Sequence, residues 1–144
     1  RSELSQQERN VALTCCRLAG LPGWGVEILK EPKRRWKLAR AKLLAAAGRT
    51  QAGVRALRDL ERSAEKRVLA QRARLERAEL FLERGGARAA LELCRPLAWR
   101  GRTRRVCRRA LRLLARSYMK LQKPGKAVMA YEGRVPFGGG GETP

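Results

Sequence analysis

One pattern of small and large residues recurs along the chain at a fixed interval. Ala41, Ala78 and Ala115 stand 37 residues apart, and the same step links Leu44, Phe81 and Tyr118. It also links Gly48 with Gly85, Gly53 with Ala90 and Ala127, and Leu57 with Cys94 and Tyr131. A period of this length marks one supersecondary unit that cannot bury its apolar face alone, so successive units must stack. Small residues belong where two helices cross closely, and large ones fill the layer between units. Nearer the start, Leu13, Cys16, Gly20, Gly25 and Leu29 repeat the internal spacing. They lie 28 residues ahead of the next unit because Pro32 cuts their exit short.

Helical periodicity fills the space between these positions, and strand signals are nearly absent. Ser5 with Glu8 forms a capping box that opens a helix through Val11, Leu13, Cys16 and Leu18 to Gly20. Pro22 starts a second, carrying Val26, Ile28 and Leu29 up to Pro32. A third runs from about Arg34 through Leu38, Ala41 and Leu44 to Gly48, and Thr50 caps a fourth through Val54, Leu57 and Leu60. Ser63 is expected to cap a long fifth ended by Gly85–Gly86. A short sixth holds Leu91 and Cys94 and is expected to end at Pro96. Thr103 caps a seventh reaching Lys123, and Pro124–Gly125 turns into an eighth that ends before Pro136. Short turns between helices make antiparallel neighbours, so the unit is a helical hairpin. The expectation is an all-α domain over residues 1–136, with hairpins at about 5–31, 34–62, 64–97 and 103–135. Residues 137–144 form a flexible Gly-rich tail.

The order small, large, glycine, small, large resembles the hairpin of the tetratricopeptide family, most closely at Leu111, Leu114, Ala115, Tyr118, Ala127 and Tyr131. Pentatricopeptide repeats share nearly the same skeleton. The resemblance covers about residues 8–135 and implies a right-handed superhelical array of about four hairpins. The 37-residue step is longer than either family's standard repeat, and no unit ends on a proline in register. The stretch Gly20-Leu-Pro-Gly-Trp-Gly-Val-Glu-Ile-Leu-Lys-Glu-Pro is also similar to the opening hairpins of pentatricopeptide-like proteins in the mitochondrial small ribosomal subunit. That likeness implies an organellar ribosome, a mitochondrial matrix location and ribosomal RNA with neighbouring proteins as partners.

Charge points to an anionic partner independently. The chain carries 34 Lys and Arg against 13 Asp and Glu, a net +21. Self-repulsion of that size is relieved by a polyanion. Arginine far outnumbers lysine, and its planar fork suits phosphate and stacks on bases. Between Leu93 and Tyr131 no acidic residue occurs, while twelve Lys or Arg do. Arg105, Arg109, Arg112, Arg116, Lys120 and Lys123 advance by steps of 3 or 4, which keeps them on one helical face. At about 1.5 Å rise per residue they stand about 5–6 Å apart. Val106, Ala110, Leu113, Leu114 and Leu121 take the core side. The family resemblance implies that the first helix of each hairpin lines a concave groove. Arg35 and Lys42 then join it from the second hairpin and Arg72 from the third, making the groove basic along its length.

A modular base code is not expected. Leu38, Leu75 and Arg112 occupy the positions at which pentatricopeptide repeats place a small polar reader. Phosphate-directed binding fits better. Trp24, Trp36 and Trp99 are expected to pack at hairpin ends. The alternative partner is an acidic peptide or tail held in the same groove by a protein-interaction adaptor. An enzyme is not expected: the chain has no histidine, one aspartate (Asp59) and no Gly-rich phosphate loop, and Ser2, Ser5, Ser63 and Ser117 have no base partner. Cys15, Cys16, Cys94 and Cys107 form no CxxC pair, so buried thiols in a reducing compartment are expected rather than a zinc site, with no metal and no cofactor. No run approaches the roughly 18 apolar residues of a membrane span. The chain opens at Arg1 without a methionine, as either a processed form or an engineered one would.

Overall fold

A computed structural model describes Gly20 and residues 36–134, and these residues form helices and turns alone. Apart from Gly20, the first expected hairpin lies outside the described residues, as do Arg35, Cys15, Cys16, Trp24 and the tail. In order, the helices are α1 (Lys37–Ala46), α2 (Thr50–Ser63), α3 (Arg67–Glu83), α4 (Ala87–Arg100), α5 (Arg104–Lys120) and α6 (Pro124–Tyr131). The chain divides into two compact units, Arg1–Arg62 and Ser63–Pro144.

In the first unit α1 and α2 form a hairpin whose crossing depends on Gly53. A β-carbon there would come within 3.0 Å of both the Ala41 carbonyl oxygen and the Ala45 Cβ. Ala41 is fully buried at this crossing and Leu57 is buried further along α2.

The second unit holds two hairpins, α3–α4 and α5–α6. α5 is its centre, packing against α3, α4 and α6. Ala78, Ala90, Ala110, Ala115 and Ala127 are at most 1% exposed, so backbones approach closely wherever two helices cross. Leu75, Leu82, Leu91, Cys94, Leu113, Leu114 and Tyr118 fill the layer between the hairpins in one continuous core.

The turn inside each of the three described hairpins is built the same way. Gly48 and Gly85 adopt left-handed backbone at φ +83°, and Gln122, one step of 37 further on, does so at φ +57°. The amide after each reaches back five residues: Arg49 to the Leu44 carbonyl at 2.9 Å, Gly86 to Phe81 at 2.7 Å and Lys123 to Tyr118 at 2.9 Å. These are Schellman motifs, in which the left-handed residue frees the next N–H to satisfy an orphan carbonyl. The carbonyl that accepts belongs in every case to the large residue of the repeat.

Three expected helix ends differ. α4 runs through Pro96 to Arg100. The missing N–H and the ring clash cost about 3 kcal/mol. Continuing the helix brings Leu97 to 4% exposure, and burial of a leucine is worth about 1.5–3 kcal/mol. Pro96 and Glu92, whose carbonyl loses its donor, both lie on the exposed side. Ser63 ends α2 instead of capping the next helix, and Lys66 precedes α3 with no side-chain cap. α5 stops at Lys120, so Lys123 stands beyond the turn as the residue that opens α6. Thr103 does cap α5: its hydroxyl accepts from the Val106 amide at 3.2 Å.

Candidate nucleic-acid interface

The basic face of α5 begins at the Thr103 cap and follows the helix for four turns. Arg104, Arg105, Arg108, Arg109, Arg112 and Arg116 line one open cleft of about 680 Å³ with Leu113 and Glu79. Glu79 is the only acidic residue in that lining.

The six arginines are not equivalent. Arg109 is half-buried, and its Nη2 donates to Glu76 Oε1 at 2.7 Å and to Glu79 Oε2 at 2.8 Å. Burial by itself would lower the guanidinium's pKa. The hydrogen bonds to Glu79 and Glu76 outweigh it and hold the pKa above its ordinary value. Glu76 is among the few buried charged residues, at 9% exposure. Arg116 Nη1 lies 3.6 Å from Glu79 Oε1, and Lys120 Nζ donates to the Leu82 carbonyl at 3.0 Å. These three bases are therefore tied to α3. Arg104, Arg105, Arg108 and Arg112 are exposed and carry no ion pair among the described residues.

Of the residues expected at the interface, Arg105, Arg109, Arg112 and Arg116 thus meet in one cleft. Lys120 faces a separate recess beside Gly85–Ala89, and Lys123 is off the row. Arg72 is exposed on α3, one step of 37 before Arg109. Lys42 is exposed in the first unit. The third hairpin does not continue the basic row. Glu79 and Glu83 stand where α5 carries Arg116 and Lys120. Counting along one helical face does not find Glu76 and Glu79, because they reach Arg109 from another helix. Arg104 and Arg108 belong to the cleft although the expected row passes beside them. Their signal is the step of four that links both to Arg112.

The thiols take no part in this site. Cys94 is fully buried and free, and burial pushes its pKa up to about 12 against the pull of Arg109 and Arg74. The Cys107 thiol donates to the Gly101 carbonyl at 3.5 Å. Among the described residues no group of three His, Cys, Asp or Glu is placed to hold a metal ion. Ser117, buried in α5, donates to the Leu113 carbonyl at 2.7 Å. No described helix is long and apolar enough to cross a membrane. No protein-family model, no curated protein and no solved structure matches the chain.

Proposed function

We propose that the chain is a structural RNA-binding subunit of a ribonucleoprotein, gripping phosphates and not reading bases. The α5 cleft carries this reading. Four exposed arginines without carboxylate partners stand on successive turns beside two more that α3 holds in place. Arginine forks bind phosphate oxygens in pairs. Glu76 and Glu79 hold Arg109 in place beneath the exposed arginines. The likeness at Gly20–Pro32 suggests an organellar ribosome as the setting, with ribosomal RNA as ligand. A right-handed superhelical array of hairpins is the finer reading of the fold, supported by three identical turns at a 37-residue step.

The test is RNA binding by the full chain at several salt concentrations. Each phosphate contact adds about 0.7–0.9 to the slope of log affinity against log salt. Replacing Arg105, Arg108 and Arg112 with glutamine should flatten the slope by roughly 2–3 units and leave sequence preference unchanged. These side chains are exposed, and glutamine keeps helix propensity, so the fold survives. Identical slopes would remove the cleft from the mechanism. No RNA binding at low salt, with tight binding of an acidic peptide, would make the chain an adaptor instead.

A further inference from the structure

Among the described residues four large apolar side chains are more than half exposed: Trp99, Met119, Val128 and Tyr131. Three of them share one origin in the repeat. Met119, Val128 and Tyr131 stand one step of 37 after Leu82, Leu91 and Cys94. The earlier three are between 0% and 5% exposed, whereas the later three are 54%, 54% and 63% exposed. Leu82, Leu91 and Cys94 are buried because α5 lies over α3 and α4 and adds Val106, Ala110 and Leu113 to the same core. The corresponding face of α5–α6 keeps the apolar side chains and has no such cover among the described residues.

Charge at the junction tells which cover fits. α5 brings Arg109 onto Glu76 and Glu79 of α3. One step later, Arg116 takes the place of Glu79 and Lys120 that of Glu83. A helix seated on α5–α6 as α5 is seated on α3–α4 therefore meets arginine where Arg109 meets carboxylate. A second copy of this chain, seated by its own α5 row or by the same end face, would set arginine against arginine, and like charges repel. We propose that this end face takes an amphipathic helix of a partner protein, apolar along one stripe and carrying Asp or Glu where α5 carries its arginines. Met119, Val128 and Tyr131, which form the seat, lie outside the α5 cleft; Arg116 is the one residue shared with the RNA reading.

A synthetic probe tests it: a peptide of the sequence Thr103–Leu121 with Arg109, Arg112 and Arg116 replaced by glutamate. Its control has the same composition in an order that breaks the apolar stripe. Fluorescence anisotropy then measures both against the full chain and against the double variant Val128→Ser, Tyr131→Ser. Both positions are exposed, and helix content by circular dichroism confirms that the variant folds. The ordered peptide should bind the parent and lose about tenfold or more on the variant. The control should bind more weakly and be indifferent to the variant. Equal affinities for the two peptides, or for parent and variant, overturn the proposal, as does no binding at all. So does self-association of the parent in sedimentation that the variant abolishes, because the occupant would then be a second copy.

Discussion

Replacing Glu76 with glutamine keeps the side-chain volume and removes the charge that meets Arg109. The two side chains are 11% and 32% exposed, so the pair lies between a surface bridge and a buried one. Surface pairs are worth about 0–1 kcal/mol, and breaking a buried pair costs about 3–5 kcal/mol. Glu76→Gln should therefore cost roughly 1–3 kcal/mol in urea unfolding, and Glu79→Gln less, since Glu79 is 34% exposed. An unchanged midpoint for Glu76→Gln would mean that Glu79 alone holds Arg109. Cys94 makes a prediction with a definite sign. Its folded pKa is about 12 against an ordinary 9.0, so between those values the unfolded chain gives up its proton first. The folded state then binds more protons, and stability falls as pH rises through that window. Cys94→Ala loses packing at pH 8, but its deficit relative to the parent should shrink at pH 10.5 by about 1–2 kcal/mol. A deficit that stays constant with pH would show that the thiol titrates normally in the folded state.

At the scale of elements, the turns carry most of what repeats. A non-glycine residue in left-handed backbone costs about 1 kcal/mol. Gln122→Gly should therefore stabilise the α5–α6 hairpin by about 0.5–1 kcal/mol, seen as a higher denaturant midpoint with an unchanged slope. A lower midpoint would mean that the Gln122 side chain contributes more than the strain it imposes. Gly101 works by proximity. A β-carbon there would lie 2.6 Å from both the Cys107 sulfur and the Leu97 carbonyl oxygen. Gly101→Ala should cost about 1–3 kcal/mol, and adding Cys107→Ala should recover only part of it, because the carbonyl cannot move aside. Full recovery would locate the clash at the sulfur alone. The sequence makes the hairpins legible because spacing sets which residues can meet: Ala41, Ala78 and Ala115 are all fully buried. Gln122 escaped notice because a turn is sought through its glycine, and the backbone geometry there is imposed by packing on both sides. Pro96 misled for a similar reason, since its local cost is certain and the compensating burial of Leu97 is a tertiary effect. The candidate cleft was half legible. Helical spacing groups the arginines of α5, but only the packing of α3 on α5 reveals which of them Glu76 and Glu79 already hold.

Over the whole chain, the net charge of +21 should oppose folding and favour binding, and salt separates the two effects. Unfolding spreads the charges apart, so repulsion among them destabilises the compact state. Exposed charges interact over about 10 Å at 0.1 M salt and about 3 Å at 1 M. Neighbouring exposed arginines of α5, one turn apart at about 5–6 Å along the axis, stand within the longer of these distances. The Arg109 contacts with Glu76 and Glu79, at 2.7 Å and 2.8 Å and half-buried, are screened far less. Repulsion should therefore fade with salt sooner than attraction does. Raising sodium chloride from low to moderate concentration is expected to raise the thermal midpoint of the parent chain. The variant with Arg105, Arg108 and Arg112 changed to glutamine should be the more stable protein at low salt, and its advantage should vanish as salt rises. On the proposed function, RNA affinity should run the other way, falling as salt rises, because binding releases counterions from the nucleic acid. Thermal unfolding of parent and variant across a salt series, beside the binding series, measures both trends on the same molecules. A midpoint that falls with salt would mean that the ion pairs outweigh the repulsion. The arginines of the cleft would then be partnered within the fold, with less charge to offer a phosphate.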